Sequence, residues 1–366
     1  MSKTQSGPLL IADITGYTLF LSESELEHAQ EILTSLLNLL IAQTRPPLII
    51  SRTAGDAVIS YAIGLPAIQS QTFVELLEDT YVAFRRAIEL MVLNNTCRCA
   101  ACANVSALDL KFFVHFGVFG VQNLGGHDEL VGSDVNLLHR LLKNHIIEAT
   151  GIRAYTVYTA AAIAALGLAE IAASMIPHTE QYEHLGEVHM LVQDMQPAWK
   201  ARRDEIVVDI PEEHVQVRVS RDFSLPPHLL WDVLSRPDFR KLILQAVNQT
   251  VINRQEGRIA PGSEFHCDHG NRVTLQRILT WHPFEMIVTE DTTPIPGTTI
   301  YIRWQLIPNH GGTTLEIAAG DGRGGFIRRH LVNVVAKKML PREFGNGLER
   351  LHQHLAATNV SASPAA

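Results

Sequence analysis

This 366-residue chain has no run approaching the roughly 18 apolar residues of a membrane helix, so no membrane span is expected. Met1 to Pro8 lacks the cationic and apolar regions of a signal peptide. Basic residues are outnumbered, with 30 Lys and Arg against 38 Asp and Glu and a formal charge of -8. That balance argues against a nucleic-acid partner, because phosphate neutralisation needs a basic face. Cysteine is scarce: there are four, and three of them lie within six residues. Such usage suits a reducing compartment, where clustered thiols mean metal more often than disulfides, and a cytoplasmic location is expected. What is present is ordinary for a globular chain, 46% hydrophobic and 19% charged, long enough for about two domains.

The first informative stretch is Pro8 to Ile14, almost continuously apolar and therefore strand-like, broken by Thr15-Gly16. Asp13 sits inside it. A carboxylate in such a strand must be neutralised, hydrogen-bonded or bound to a cation, unless it only caps the following turn. Forty residues on, residues 48–52 and 57–61 read as the arms of a tight hairpin with Gly55-Asp56 at its turn. If the first strand lies beside this hairpin, two carboxylates converge at one sheet end. That geometry suits oxygen-loving divalent ions such as magnesium or manganese.

Between and after these acids the pattern alternates helix and strand. Ser22 and Ser24 each precede a Glu by three residues, a capping-box signal before a helix carrying Ile32, Leu33, Leu36, Leu37, Leu40 and Ile41. Residues 73–88 predict a second amphipathic helix, and 110–121 a strand. Residues 124–134 predict a loop, 135–143 a helix with Asn136 and Arg140 on one face, 154–159 a strand, 160–174 an alanine-rich helix, and 181–192 a strand pair.

Asp13 before Ile14-Thr15-Gly16-Tyr17-Thr18, Gly55-Asp56 in a hairpin, and Gly132-x-x-Val135-Asn136-x-x-x-Arg140 together resemble the catalytic domain of class III nucleotidyl cyclases over about residues 5–197. The resemblance implies that Asp13 and Asp56 hold two Mg2+ or Mn2+ ions per active site. It implies that Asn136 orients the ribose and that Arg140 stabilises charge on the α-phosphoryl group. The base-reading pair falls at Arg52 and Glu129, a donor followed by an acceptor, as adenine requires. Adenylate cyclases usually carry Lys with Asp or Thr there, and guanylate cyclases Glu with Cys, so ATP is the favoured nucleoside triphosphate. The family's triphosphate-binding Lys is absent from Tyr182-Glu183-His184-Leu185-Gly186, where His184 is the candidate substitute. Family sites form between two subunits, which implies a homodimer.

Cys97, Cys99 and Cys102 are candidate ligands of a structural zinc, with His115, His127 or Cys267 as conceivable fourth partners. Residues 198–213 turn abruptly to charge and proline and are expected to form a linker. Beyond it, an alternating strand from Val215, a short proline-started helix at 225–234, six strands between 246 and 319, and a long amphipathic helix containing Pro341 complete the chain. The phrase from Ser220 to Pro237, with this order of elements, resembles the START-like or polyketide-cyclase-like helix-grip (SRPBCC) superfamily over 214–357. That resemblance implies an apolar cavity for a hydrophobic small ligand. His266-Cys267-Asp268-His269 alternates between strand faces and is read as ordinary strand. Residues 358–366 are expected to be a disordered tail.

The expected fold class is therefore α+β, a ferredoxin-like cyclase domain followed by a curved antiparallel sheet around a long C-terminal helix. The expected activity is formation of a 3',5'-cyclic nucleotide, most simply cyclic AMP from ATP, regulated by an apolar ligand. The alternative is a weak or inactive cyclase-homology module coupled to a ligand-binding domain.

Overall fold

The computed structural model describes residues 4–64, 68–94, 99–124, 127–270 and 272–357. Cys97 and the tail 358–366 lie outside the described residues. The chain divides into two compact units, Met1–Glu205 and Ile206–Ala366.

In the first unit the elements run β1 (Thr4–Thr15), α1 (Tyr17–Ser22), α2 (Leu26–Thr44), β2 (Ile49–Ala54), β3 (Ala57–Tyr61), α3 (Ser70–Leu93), α4 (Ala100–Asn104), β4 (Asp109–Leu124), β5 (His127–Val131), α5 (Ser133–Leu141), α6 (Ile146–Thr150), β6 (Tyr155–Thr159), α7 (Ala160–Ala165), α8 (Ala169–Ala172), β7 (Ile176–Tyr182), β8 (Gly186–Asp194) and α9 (Gln196–Asp204). The strands form one eight-stranded sheet in the order β2-β3-β1-β4-β6-β8-β7, with β5 pairing off β4. Strand β1 is central, antiparallel to both β3 and β4, with Asp13 opposite Ala57 on one side and Lys111 on the other.

Period-2 alternation along β1 sorts its side chains to two faces. Leu9 and Ile11 join Ala57, Ile59, Phe113, Tyr155 and Val157 in one buried cluster, capped by Val135, Leu138 and Leu141 of α5. Asp13 continues that face at the sheet's end. Helices α2 and α3 pack on each other and against β3 and β4, and Leu10, Ala12, Phe112 and Val114 are buried in the opposite alternation.

Three local expectations are corrected. The Ser22 hydroxyl bonds back to the Leu19 carbonyl at 2.9 Å, closing α1, and α2 starts at Leu26 behind Glu25 with no side-chain cap. The loop expected over 124–134 contains β5, which pairs with Gly120–Leu124 as a hairpin arm. The alanine-rich helix is split into α7 and α8 by Gly167, whose φ of 68° is left-handed.

The second unit contains β9 (Val217–Phe223), α10 (Pro227–Ser235), α11 (Pro237–Leu244), β10 (Asn248–Ile252), β11 (Glu264–Asp268), β12 (Val273–His282), β13 (Met286–Thr292), β14 (Thr299–Asn309), β15 (Gly312–Arg323) and α12 (Phe326–Ala357). Its seven strands form an antiparallel sheet in the order β10-β11-β12-β13-β14-β15-β9. Helix α12 runs through Pro341 and buries Val332, Ala336, Phe344, Leu348, Leu351 and Leu355.

The charged stretch 198–213 does not stand free as a linker. Its first part belongs to α9, where Trp199 is buried. Its second part is fastened to the following unit: Val208 exchanges hydrogen bonds with the Thr280 hydroxyl at 3.1 and 2.7 Å, and Arg303 donates to Asp209 and to the Ile210 carbonyl.

Candidate functional site

The hairpin turn between β2 and β3 brings the second acid to the first. Gly55 takes φ 64° at the turn, a left-handed conformation that favours glycine. The Ile14 amide then donates to the Asp56 carbonyl at 3.1 Å, which pins the turn against the end of β1. Asp13 and Asp56 are both half-buried. Burial, and then the neighbouring Asp56 charge, push the Asp13 carboxyl up to about 6, while Lys111 works the other way. Asp56 is also raised, chiefly by burial.

Lys111 is the group that reading the sequence missed. It lies opposite Asp13 in the sheet register, with its Nζ 5.1 Å from the centre of the Tyr155 ring. Burial lowers its affinity for a proton and Asp13 counteracts that. The signal was available: a lone cation in the apolar run 110–121, two residues from Phe113 and so on the same face.

The donor set Asp13 and Asp56 fits a divalent cation. Two hard oxygen ligands repel one another at one place, and a cation would relieve both that repulsion and the desolvation that raises their proton affinity. Among the described residues, Lys111 already neutralises part of this charge.

Helix α5 positions the next pair. Val135, Leu138 and Leu141 face the sheet, which leaves Asn136 and Arg140 on the exposed face, one turn apart. The helix start is fixed by Asp134, whose Oδ2 accepts the Val118 amide at 2.5 Å. Its Oδ1 lies 3.7 Å from His115 Nε2. Gly117 is required here, since a Cβ would stand 2.5 Å from the Asp134 side chain.

Arg52 and Glu129 meet although 77 residues apart, with Nη1 3.1 Å from Oε1 and 3.0 Å from Oε2. A bulge between Ile50 and Arg52 re-aims the edge strand, and β5 returns to contact β2. His139, one residue before Arg140, is near enough to feel both charges; burial and Arg52 lower its pKa against the pull of Glu129. His184 is elsewhere, 84% exposed in the turn between β7 and β8, with its Nε2 3.4 Å from Glu183. The structure therefore groups Asp13, Asp56 and Lys111 at one place and Arg52, Glu129 and His139 at another, and it isolates His184.

The thiols separate too. Cys99 and Cys102 lie with His28, their ligand atoms all within 4.8 Å of one another. His115 is not their fourth partner: it is buried in β4, its Nδ1 2.9 Å from the Thr159 hydroxyl. Cys267 is buried in β11, where its thiol donates to Gln276 Oε1 at 3.5 Å. The His127 side chain lies outside the described residues.

In the second unit a cavity of about 410 Å³ lies between the sheet and α12. Ile300, Ile302, Val332, Val335, Ala336 and Met339 supply apolar walls, and Cys267, Gln276 and Asp291 add polar groups. Close by, the fully buried Arg240 guanidinium lies 4.5 Å from the Phe265 ring centre and 4.7 Å from that of Trp304.

These features define a two-unit α+β protein, with an eight-stranded sheet in its N-terminal unit and a seven-stranded antiparallel sheet with a long closing helix in its C-terminal unit. Residues 214–356 match the family described as polyketide cyclase / dehydrase and lipid transport. Residues 33–150 match a family described as protein of unknown function (DUF2652). An uncharacterized protein of Mycobacterium tuberculosis is 36% identical over 63 residues, 17% of this chain. The match spans only 30% of the length of that curated relative. The adenylyl cyclase CyaB from P. aeruginosa is similar in structure, with 16% identity, coverage of 53% of this chain and 96% of that one, and a TM-score of 0.38. The guanylyl cyclase Cya2 matches with 17% identity, 52% and 92% coverage and a TM-score of 0.38. A protein from Mesorhizobium loti matches with 22% identity, 39% and 97% coverage and a TM-score of 0.31. Among the described residues, no helix is long and apolar enough to cross a membrane.

Proposed function

We propose that the N-terminal unit is a nucleotidyl cyclase that converts a nucleoside triphosphate, ATP before the others, into a 3',5'-cyclic nucleotide and pyrophosphate. The observation that carries this reading is the convergence of Asp13 and Asp56, each raised in pKa by burial, at one end of the sheet face that bears α5. Two divalent cations held by these carboxylates would supply neutralisation of the triphosphate and activation of the ribose 3'-hydroxyl. Asn136 and Arg140 face solvent, where they are free to serve a second copy of the chain. In that homodimer Asn136 orients the ribose, and Arg140 stabilises charge developing on the α-phosphorus. Arg52 and Glu129 offer a donor and an acceptor to the base. The C-terminal cavity takes an apolar ligand that adjusts the rate.

A second reading, nucleotide binding without turnover, is favoured by one observation: His184, at the place of the expected triphosphate cation, is largely exposed and lies beside Glu183. One assay separates the two. Purified protein is incubated with ATP, GTP, CTP and UTP in manganese, and cyclic product is sought by mass spectrometry, with Asp56→Ala as control. Product that disappears in the variant supports the cyclase. Metal-dependent nucleotide binding without product supports the second reading, and neither one sinks both. Filling the cavity with Ala336→Trp tests regulation, an unaltered rate being the adverse result.

A further inference from the structure

We propose that His28, Cys99 and Cys102 form a zinc site that staples α2 to the segment leading into β4. Fold and distance carry the argument, independently of any cyclase activity. His28 lies 71 residues before Cys99, yet its Nδ1 comes to 3.2 Å from the Cys99 sulfur. With Cys102 the three ligand atoms all fall within 4.8 Å of one another. A tetrahedral zinc with bonds of about 2.0 to 2.3 Å holds its ligand atoms about 3.4 to 3.8 Å apart, so small side-chain rotations suffice to seat the ion.

The chemistry selects zinc over the ions suited to Asp13 and Asp56. Two sulfurs and an imidazole are a borderline-soft set, whereas magnesium and manganese prefer carboxylate oxygen. Spacing agrees, because Cys99 and Cys102 flank the first turn of α4 as a Cys-x-x-Cys knuckle. The Cys102 amide points at the Cys99 sulfur from 3.4 Å, which fixes the turn. Around this turn Glu25 accepts the Ala101 amide at 3.2 Å. A carboxylate so placed orients the knuckle from outside the ligand shell.

All three ligands are half-buried, open enough for a metal to enter. Cys267 is the contrast: it is buried, its thiol is pushed up to about 12, and no His lies in a metal group with it among the described residues. The local fold also needs a staple. Helix α4 is five residues long and buries only Ala101, too little apolar surface to fix it against α1, α2 and α3, which it touches. Its position gives the staple a consequence. The turn after α4 abuts the turn after β1, since a Cβ on Gly16 would stand 3.2 Å from the Ala107 carbonyl. Strand β4 then begins at Asp109 and carries Lys111 to the side of Asp13. Zinc at His28, Cys99 and Cys102 thus fixes both chain segments that frame Asp13, and its fourth coordination position is filled from outside the trio.

The test is metal analysis of the full chain purified under reducing conditions. About one zinc per chain is expected, lost in His28→Ala, Cys99→Ser and Cys102→Ser and kept in Cys267→Ser. Because the variants could unfold, the wild type is also stripped with a chelator and reloaded. A fall in Tm on stripping, restored by one equivalent of zinc, is expected. Cobalt in place of zinc should give a sulfur-to-metal charge-transfer band with the strong visible absorption of a tetrahedral site. A metal-free protein whose Tm ignores chelator and zinc would overturn the proposal. So would zinc retained by His28→Ala, or a Cys99–Cys102 disulfide in the freshly purified chain.

Discussion

The guanidinium of Arg52 lies 3.0 Å from the carboxylate of Glu129, across 77 residues of sequence, and ties the edge hairpin to the β4–β5 arm. Arg52 is 45% and Glu129 25% exposed, so the pair contributes little to stability, about 0.5 kcal/mol or less. Its value lies in recognition. An Arg engaged by a Glu presents its remaining donors in a fixed direction, while the free Glu oxygen lone pairs accept from an exocyclic amine. Glu129→Ala should leave Tm within about 1 °C and reduce the ratio of kcat/KM for ATP over GTP by roughly tenfold or more. Steady-state kinetics with both nucleotides checks this, and an unchanged ratio would count against a base-reading role.

Asp13 and Asp56 lead to a prediction in which stability and activity move in opposite directions. Burial and mutual repulsion make Asp13 costly when ionised without metal. Asp13→Asn removes that charge but keeps the shape. In metal-free buffer at pH 7.5 the variant should melt at or above the wild-type temperature, yet lose roughly a thousandfold or more in cyclic nucleotide formation. Manganese should raise the wild-type Tm and not the variant's. A variant that melts lower, or that still responds to manganese, would contradict the assignment.

The two acids were legible because each broke a strong local pattern, an acid ending an apolar strand and an acid at a hairpin turn. The Asn136 to Arg140 spacing was legible because four residues make one helical turn and set both on one face, opposite the apolar stripe. What escaped was set by tertiary contact. His28 sits in an unremarkable helical stretch, and only the fold brings Cys99 to it. Lys111 was hidden by the apolar residues around it, and its meaning depends on β1 pairing with β4 in one register. Helix α11, eight residues from Pro237 to Leu244, is too short for periodicity to show, and β5 is a five-residue polar arm whose pairing with β4 supplies the order that its composition does not.

Lys111 sets the affinity of the neighbouring acids for metal. It lies opposite Asp13 and favours the ionised carboxylate, but its positive charge also repels an incoming cation. Lys111→Gln removes that repulsion and raises the proton affinity of Asp13, two effects that oppose each other near neutrality. At pH 8 Asp13 is ionised in both proteins, so only the repulsion remains. Manganese should then bind several-fold more tightly to the variant, by the Coulomb interaction of charges a few ångströms apart in a partly screened site. Calorimetric titration at pH 8 measures this, and weaker binding in Lys111→Gln would show that the lysine organises the site rather than competing for it.

His228 makes the second unit sensitive to acid. It is buried at 7% exposure at the start of α10, and burial lowers its pKa to about 4. The folded state therefore keeps this imidazole neutral between pH 6.5 and 4, while the unfolded chain takes up a proton there. Stability contributed by the neutral ring is present above pH 6.5 and lost as pH falls toward 4, by up to about 3 kcal/mol. Asp291, pushed up to about 6 chiefly by burial, has the opposite sign: it holds its proton in the folded state between its ordinary value and about 6, so acid favours the fold through this group. The wild-type curve is the sum of both, and only a variant isolates the histidine. His228→Gln cannot titrate, so the difference in unfolding free energy between the two proteins should shift in the variant's favour as pH drops from 7 to 4.5. Denaturant unfolding of the full chain across that range is the measurement, and two parallel curves would show that His228 finds a proton acceptor when the fold is acidified.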